Sequence, residues 1–92
     1  ARIQAERAEA LFQLGRFDEA TTAAHTALRM DGKLLLARLL LASVAERRGN
    51  WAEARDQLRT ILRYVQPDNL EAGDLRRRLE AAEQNARRES GR

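Results

Sequence analysis

Cysteine is absent from this sequence, and proline and histidine occur once each. Without cysteine there is no disulfide and no thiolate metal site. That pattern fits a reducing compartment or a bacterial periplasm, the cytoplasm being favoured. The lone histidine, His25, stands beside Thr22 and Thr26 on an alanine-rich stretch and is expected to face solvent, since no cysteine or second histidine can pair with it. The glycines stand singly, so no glycine-rich phosphate loop is present. No apolar run approaches the roughly 20 residues that a membrane-spanning helix needs. Aromatic side chains are limited to Phe12, Phe17, Trp51 and Tyr64, which makes the core aliphatic and leaves little to stack on bases. The sequence therefore points away from catalysis, and no enzyme, cofactor or metal is expected.

What is abundant is alanine, leucine, arginine and glutamate, the composition of an all-α chain. At 92 residues it forms one small domain. A chain of that size buries only about 60–65% of its unfolded surface, so neighbours would help its stability. It shows no signal-peptide or transit-peptide pattern. Beginning at Ala1, it is expected to be a processed chain or a piece of a longer one. The net charge is +3, but sixteen of the seventeen basic residues are arginine and only Lys33 is lysine. A bias this lopsided, with acids interspersed, reads as a GC-rich bacterial genome rather than as selection for phosphate binding.

The organising stretch is Lys33 to Arg48, KLLLARLLLASVAERR. Leu34, Leu35, Leu36, Leu39, Leu40 and Leu41 put leucine on nearly the whole circumference of a helix. A helix apolar all round must be buried on more than one side. Its neighbours come from an internal repetition. Shifted by thirty-four residues, Ala8 falls on Ala42, Gly15 on Gly49, Glu19 on Glu53, Ala20 on Ala54, Thr26 on Thr60 and Leu28 on Leu62. Phe17 meets Trp51, so each copy carries Gly-x-aromatic-x-Glu-Ala.

Each copy reads as two helices. The first spans about 3–14, with Ile3, Ala10, Leu11 and Leu14 on one face and Ala5, Ala8 and Phe12 beside it; Gly15 closes it. The second spans about 18–30, with Asp18 and Glu19 at its positive end and Ala20, Ala23, Ala24 and Ala27 permitting close contact. The central helix follows and ends at Gly49. A fourth, about 52–64, presents Ala54, Leu58, Ile61, Leu62 and Val65 at helical spacing. After Pro67, Asp68 and Glu71 form a capping box for a last helix starting near Asn69. Its stripe is Ala72, Leu75, Leu79, Ala82 and Ala86, with little to bury beyond about Ala82 and a frayed end over Glu89, Ser90, Gly91 and Arg92. Its remaining charged faces suit a solubilising cap on a helical stack.

The period, the two helices per period, the small residues Ala8 and Ala42, the Gly-x-aromatic-x-Glu-Ala phrase, and Ala27 and Ile61 late in the second helices together resemble the tetratricopeptide-repeat family. The family's early aromatic is Gln4 and Arg38 here, its turn proline is Gly32 in the first copy, and its second-helix aromatic is Ala24 and Leu58. The resemblance implies antiparallel helix-turn-helix repeats stacked as a short right-handed superhelix of five helices: repeats over 1–32 and 33–67, then a capping helix with a frayed tail over 68–92. It also implies protein–protein interaction through a concave groove lined by the first helix of each pair. Carried onto this chain, the groove positions are Arg2, Ala5, Glu9, Phe12, Gln13, Leu36, Leu39, Ser43, Glu46, Arg47, Asp74 and Arg78. The family's carboxylate-gripping lysine and asparagine positions hold Ala5, Glu9 and Leu40, so that clamp is missing. An apolar strip of Phe12, Leu36 and Leu39 takes its place, rimmed by charge, or else these leucines are simply core.

The expected role is thus a non-catalytic adaptor or scaffold that binds a peptide or helix of a partner protein through Glu9, Phe12, Leu36, Leu39, Ser43, Arg47 and Arg78. Gly15, Gly49, Phe17, Trp51, Ala20 and Ala54 read as structural. Two alternatives stand beside it. Stacked repeats typically need three units, so the chain could self-assemble, through the alanine-rich surface from Ala20 to Ala27 or the last helix. Arg76, Arg77, Arg78, Arg87 and Arg88 could contact nucleic-acid phosphates, although Glu80, Glu83 and Glu89 dilute that face.

Overall fold

Alanine sets the spacing of this fold. In the computed structural model, which describes residues 2–32 and 34–90, thirteen of the nineteen buried apolar residues are alanine. Side chains that small let helices approach closely, and the one large side chain with essentially no exposure is Leu58. The described residues form five helices and no strand: α1 (Arg2–Gln13), α2 (Phe17–Met30), α3 (Leu35–Arg48), α4 (Trp51–Tyr64) and α5 (Ala72–Ser90). Each packs on the next, and α1 also reaches α3.

The repetition extends to single hydrogen bonds. Gly15 has φ +77° and Gly49 φ +72°, the left-handed conformation that glycine adopts without a Cβ penalty. At the first, the Gly15 N–H donates to the Phe12 carbonyl (2.9 Å) and the Arg16 N–H to the Leu11 carbonyl (2.9 Å). At the second, Gly49 donates to Glu46 (3.2 Å) and Asn50 to Ala45 (2.8 Å). Both are the same six-to-one and five-to-two closure, which satisfies carbonyls that a helix end would otherwise leave orphaned.

Helix α3 is the shared wall. Ala37, Leu40 and Leu41 join one core cluster with Ala5, Ala8, Ala23, Ala24 and Ala27. Ala42 and Ala45 join a second with Ala54, Leu58, Ile61, Leu75 and Ala82. Lys33, which opens the leucine-rich stretch, lies outside the described residues, as do Gly91 and Arg92 of the expected frayed end.

Four expectations are corrected. The face of α1 that packs is Ala5 and Ala8, whereas Ile3 and Leu14 are 78% and 70% exposed. Both α2 and α3 crowd the alanine side, where backbones approach most closely, so the larger residues are left outside. The alanine surface of α2 is not free for another copy: Ala20, Ala23, Ala24 and Ala27 are buried within this chain. Helix α5 starts at Ala72, and just ahead of it the Asn69 Oδ1 accepts the Glu71 N–H at 2.8 Å. An Asx turn onto the second residue ahead has displaced the Asp68–Glu71 box. Finally, α5 runs on through Glu89 to Ser90, with Ala86 still buried. Trp51 extends the second cluster alongside Ala82, and Arg59 reaches Glu83 at 2.9 Å, so the later turns of α5 keep a partner.

Leu58→Ala is expected to lower unfolding free energy by about 2–5 kcal/mol in urea denaturation, because it opens a cavity in the second cluster. In the same assay Gly49→Ala should destabilise by about 1 kcal/mol through its positive φ, while Gly73→Ala, whose Cβ would meet nothing nearer than 3.9 Å, should be neutral or slightly stabilising.

Candidate interaction groove

The seven residues expected to line a groove lie on three helices: Glu9 and Phe12 on α1, Leu36, Leu39, Ser43 and Arg47 on α3, and Arg78 on α5. Spacings of three, four and four residues put the α3 members on one face. Leu36, Leu39 and Ser43 are half-buried on that face, and Arg47 is exposed. Two clusters of side chains connect this helix to its neighbours.

The first cluster is aromatic and cationic. The Phe12 and Phe17 rings lie 5.4 Å apart at 43°. The Arg47 guanidinium sits 5.7 Å from both ring centroids. Arg48 stands 5.9 Å from the Phe17 ring and pairs with Asp18 at 2.6 Å. The turn at Gly15 produces this arrangement, because it carries the chain from Phe12 straight into Phe17. Each ring contact of an exposed arginine contributes about 0.5–1 kcal/mol. Together with the Arg48–Asp18 pair they fasten the end of α3 to the α1–α2 corner.

The second cluster is an ion pair between α3 and α5. Arg78 Nε donates to Glu46 Oε2 at 3.1 Å and Nη2 to Glu46 Oε1 at 2.6 Å, and Nη2 also reaches Ser43 Oγ at 3.3 Å. A planar guanidinium matches a carboxylate in this two-bond geometry, which fixes orientation as well as distance. The Arg78 charge is therefore directed at Glu46 within the chain.

The other members are arranged more loosely. Leu36 packs on the first core cluster and Leu39 on the second, so each is partly core and partly surface. Glu9 is exposed, and among the described residues no ion pair to it is seen. Of the wider set of groove positions, Ala5 is fully buried, Arg2 pairs with Glu6 and Asp74 with Arg77.

Two features had no signal in the sequence pattern. Arg38 donates to the Gly32 carbonyl (3.0 Å) and to Gln57 Oε1 (3.3 Å), tying the α2–α3 turn to α4. An open cleft of about 400 Å³ lies between α1 and α2, lined by Gln4, Arg7, Leu11, Asp18, Thr22 and Thr26 among others; none of the seven residues borders it. His25 is exposed. Among the described residues no group of acidic, histidine or cysteine side chains could hold a metal ion, and no helix is long and apolar enough to cross a membrane.

Helix pairs repeated every thirty-four residues, closed by the same glycine turn and joined through a shared helix, define a helical-repeat protein. The model of the tetratricopeptide repeat matches residues 11–79, and the chain belongs to that family. No curated protein and no solved structure matches it. Tetratricopeptide repeats generally mediate protein–protein interaction and typically act as non-catalytic scaffolds.

The Arg78–Glu46 side chains are 26% and 23% exposed, against 88% and 60% for Arg2–Glu6. A double-mutant cycle with Arg78→Met and Glu46→Gln should therefore give a coupling of about 1 kcal/mol, and one at Arg2 and Glu6 no more than about 0.5.

Proposed function

We propose that this chain is a non-catalytic adaptor that binds a peptide or helix of a partner protein along the side shared by α1, α3 and α5. In this reading residues 1–32 and 33–67 are its two repeats and 68–92 its capping helix. The observation that carries the reading is the state of Leu36 and Leu39. They keep part of their apolar surface in solvent although α3 packs on both core clusters, and among the described residues no ion pair to Glu9 or Arg47 is seen. Apolar surface bordered by unpaired charge is the composition of a recognition site. Phe12, Leu36 and Leu39 supply anchorage, Ser43 a polar contact, and Glu9 and Arg47 direction. Arg78 acts mainly as the strut that holds α5 at the rim.

Self-assembly is the second reading, and the exposed Ile3 on α1 and Leu14 just after it favour it. Nucleic-acid binding is disfavoured by pairing: within Arg76-Arg77-Arg78, Arg77 bonds Asp74 and Arg78 bonds Glu46.

Selection of peptides from a phage-displayed random library, followed by titration of an enriched peptide, tests the groove. Leu39→Asp should abolish binding and Arg76→Ala should leave it unchanged, with circular dichroism establishing that both variants remain helical. Equal loss in both, or amide shift changes confined to α2 and α4, would refute the groove assignment. Light scattering over a concentration series tests the second reading, which requires a mass above that of one chain.

A further inference from the structure

We infer that Arg47 receives an acidic side chain of the bound partner, as a cation held in position by the Phe12 and Phe17 rings; this rests on the groove reading above. Three arginines stand at the groove positions: Arg2, Arg47 and Arg78. Arg2 is neutralised by Glu6 and Arg78 by Glu46. Arg47 has both aromatic rings within 5.7 Å, and among the described residues no carboxylate pairs with it.

The charge balance of the corner points the same way. Arg47 and Arg48 both approach Phe17, but the one carboxylate paired there, Asp18, bonds Arg48 at 2.6 Å. Glu19 is bonded by Arg16 through two hydrogen bonds, 2.8 and 3.0 Å. Asp18 and Glu19 are thus committed to other arginines, and among the described residues the arginine of this corner with no carboxylate partner is Arg47.

Ring contact does not consume hydrogen-bonding capacity. A guanidinium has five N–H donors in one plane, and stacking against aromatic faces leaves those edges free to grip a carboxylate with two parallel bonds. A side chain already restrained in the free protein loses less freedom on binding, so more of the interaction appears as affinity. The occupant with matching chemistry is an amphipathic partner segment bearing Asp or Glu beside the apolar residues that cover Leu36 and Leu39. Glu9, of opposite sign and one helical turn before Phe12, disfavours a second acid beyond Arg47 toward the start of α1.

The test uses the intact chain and the same random-peptide library. Wild type should enrich peptides with an acidic residue at a fixed distance from their apolar anchors. Arg47→Glu should enrich lysine or arginine at that place. For an enriched peptide, Glu→Gln should weaken binding to wild type about tenfold and to Arg47→Gln less than twofold, the size expected for one charge-assisted pair. Arg76→Ala, on an exposed position of α5, should retain the wild-type preference. Enriched peptides with no acidic position, or an unaltered consensus with Arg47→Glu, overturn the inference and leave the groove standing. Absence of any enriched peptide overturns the groove reading and this inference with it.

Discussion

The close approach of helices across alanine is the constraint on which the rest of this structure depends. Ala5 and Ala8 on α1, Ala23, Ala24 and Ala27 on α2 and Ala37 on α3 meet in one cluster. Substituting a larger side chain at that junction would push three helices apart together, because all three meet there through alanine. The arrangement economises on core volume, and it has a consequence at the surface. With the alanine face turned inward, the larger apolar residues Ile3 of α1 and Leu14 just after it stand outside. Small domains bury a modest fraction of their surface, and here that fraction is concentrated around α3.

Long-range charge pairs then lock the layers. Arg48–Asp18 joins the second repeat to the first, and Arg78–Glu46 joins the last helix to α3. Pairs of this kind contribute little as isolated surface bridges. Their effect here is positional: Arg48–Asp18 ties the end of α3 to the start of α2, and Arg78–Glu46 ties α5 to α3, two helices that no short loop joins. They also determine which charges remain available to another molecule. Arg78 is turned toward Glu46, whereas Arg47 lies against two aromatic rings and among the described residues pairs with no carboxylate.

The functional reading follows from that inventory. A tetratricopeptide-repeat chain presents surface, and the proposed face is that of α1, α3 and α5, where Leu36 and Leu39 are half-buried and Glu9 and Arg47 are exposed. Phe17 has a double part in it. It stands half-buried just after the Gly15 turn with its ring against Phe12, and it also lies against the Arg47 guanidinium.

The sequence by itself determined the family, the number and order of helices, the two glycine closures and the central place of the leucine-rich helix. These follow from local rules, the period and the conformational demand at each turn, so they are visible in a single chain. The faces of α1 and the start of α5 were not legible in the same way. Which stripe of α1 packs depends on two partners arriving on the same side, and Asn69 and Asp68 offer similar side chains to the turn before α5. Of the seven groove residues, their helices and shared face on α3 could be read from spacing. Whether each charge was available could not, because the pairings that decide it span about thirty residues. Arg48 meets Asp18, and Arg78 meets Glu46, only once the helices are stacked. The tertiary structure therefore decided the character of the surface, since electrostatic pairing depends on distance in space and not on position along the chain.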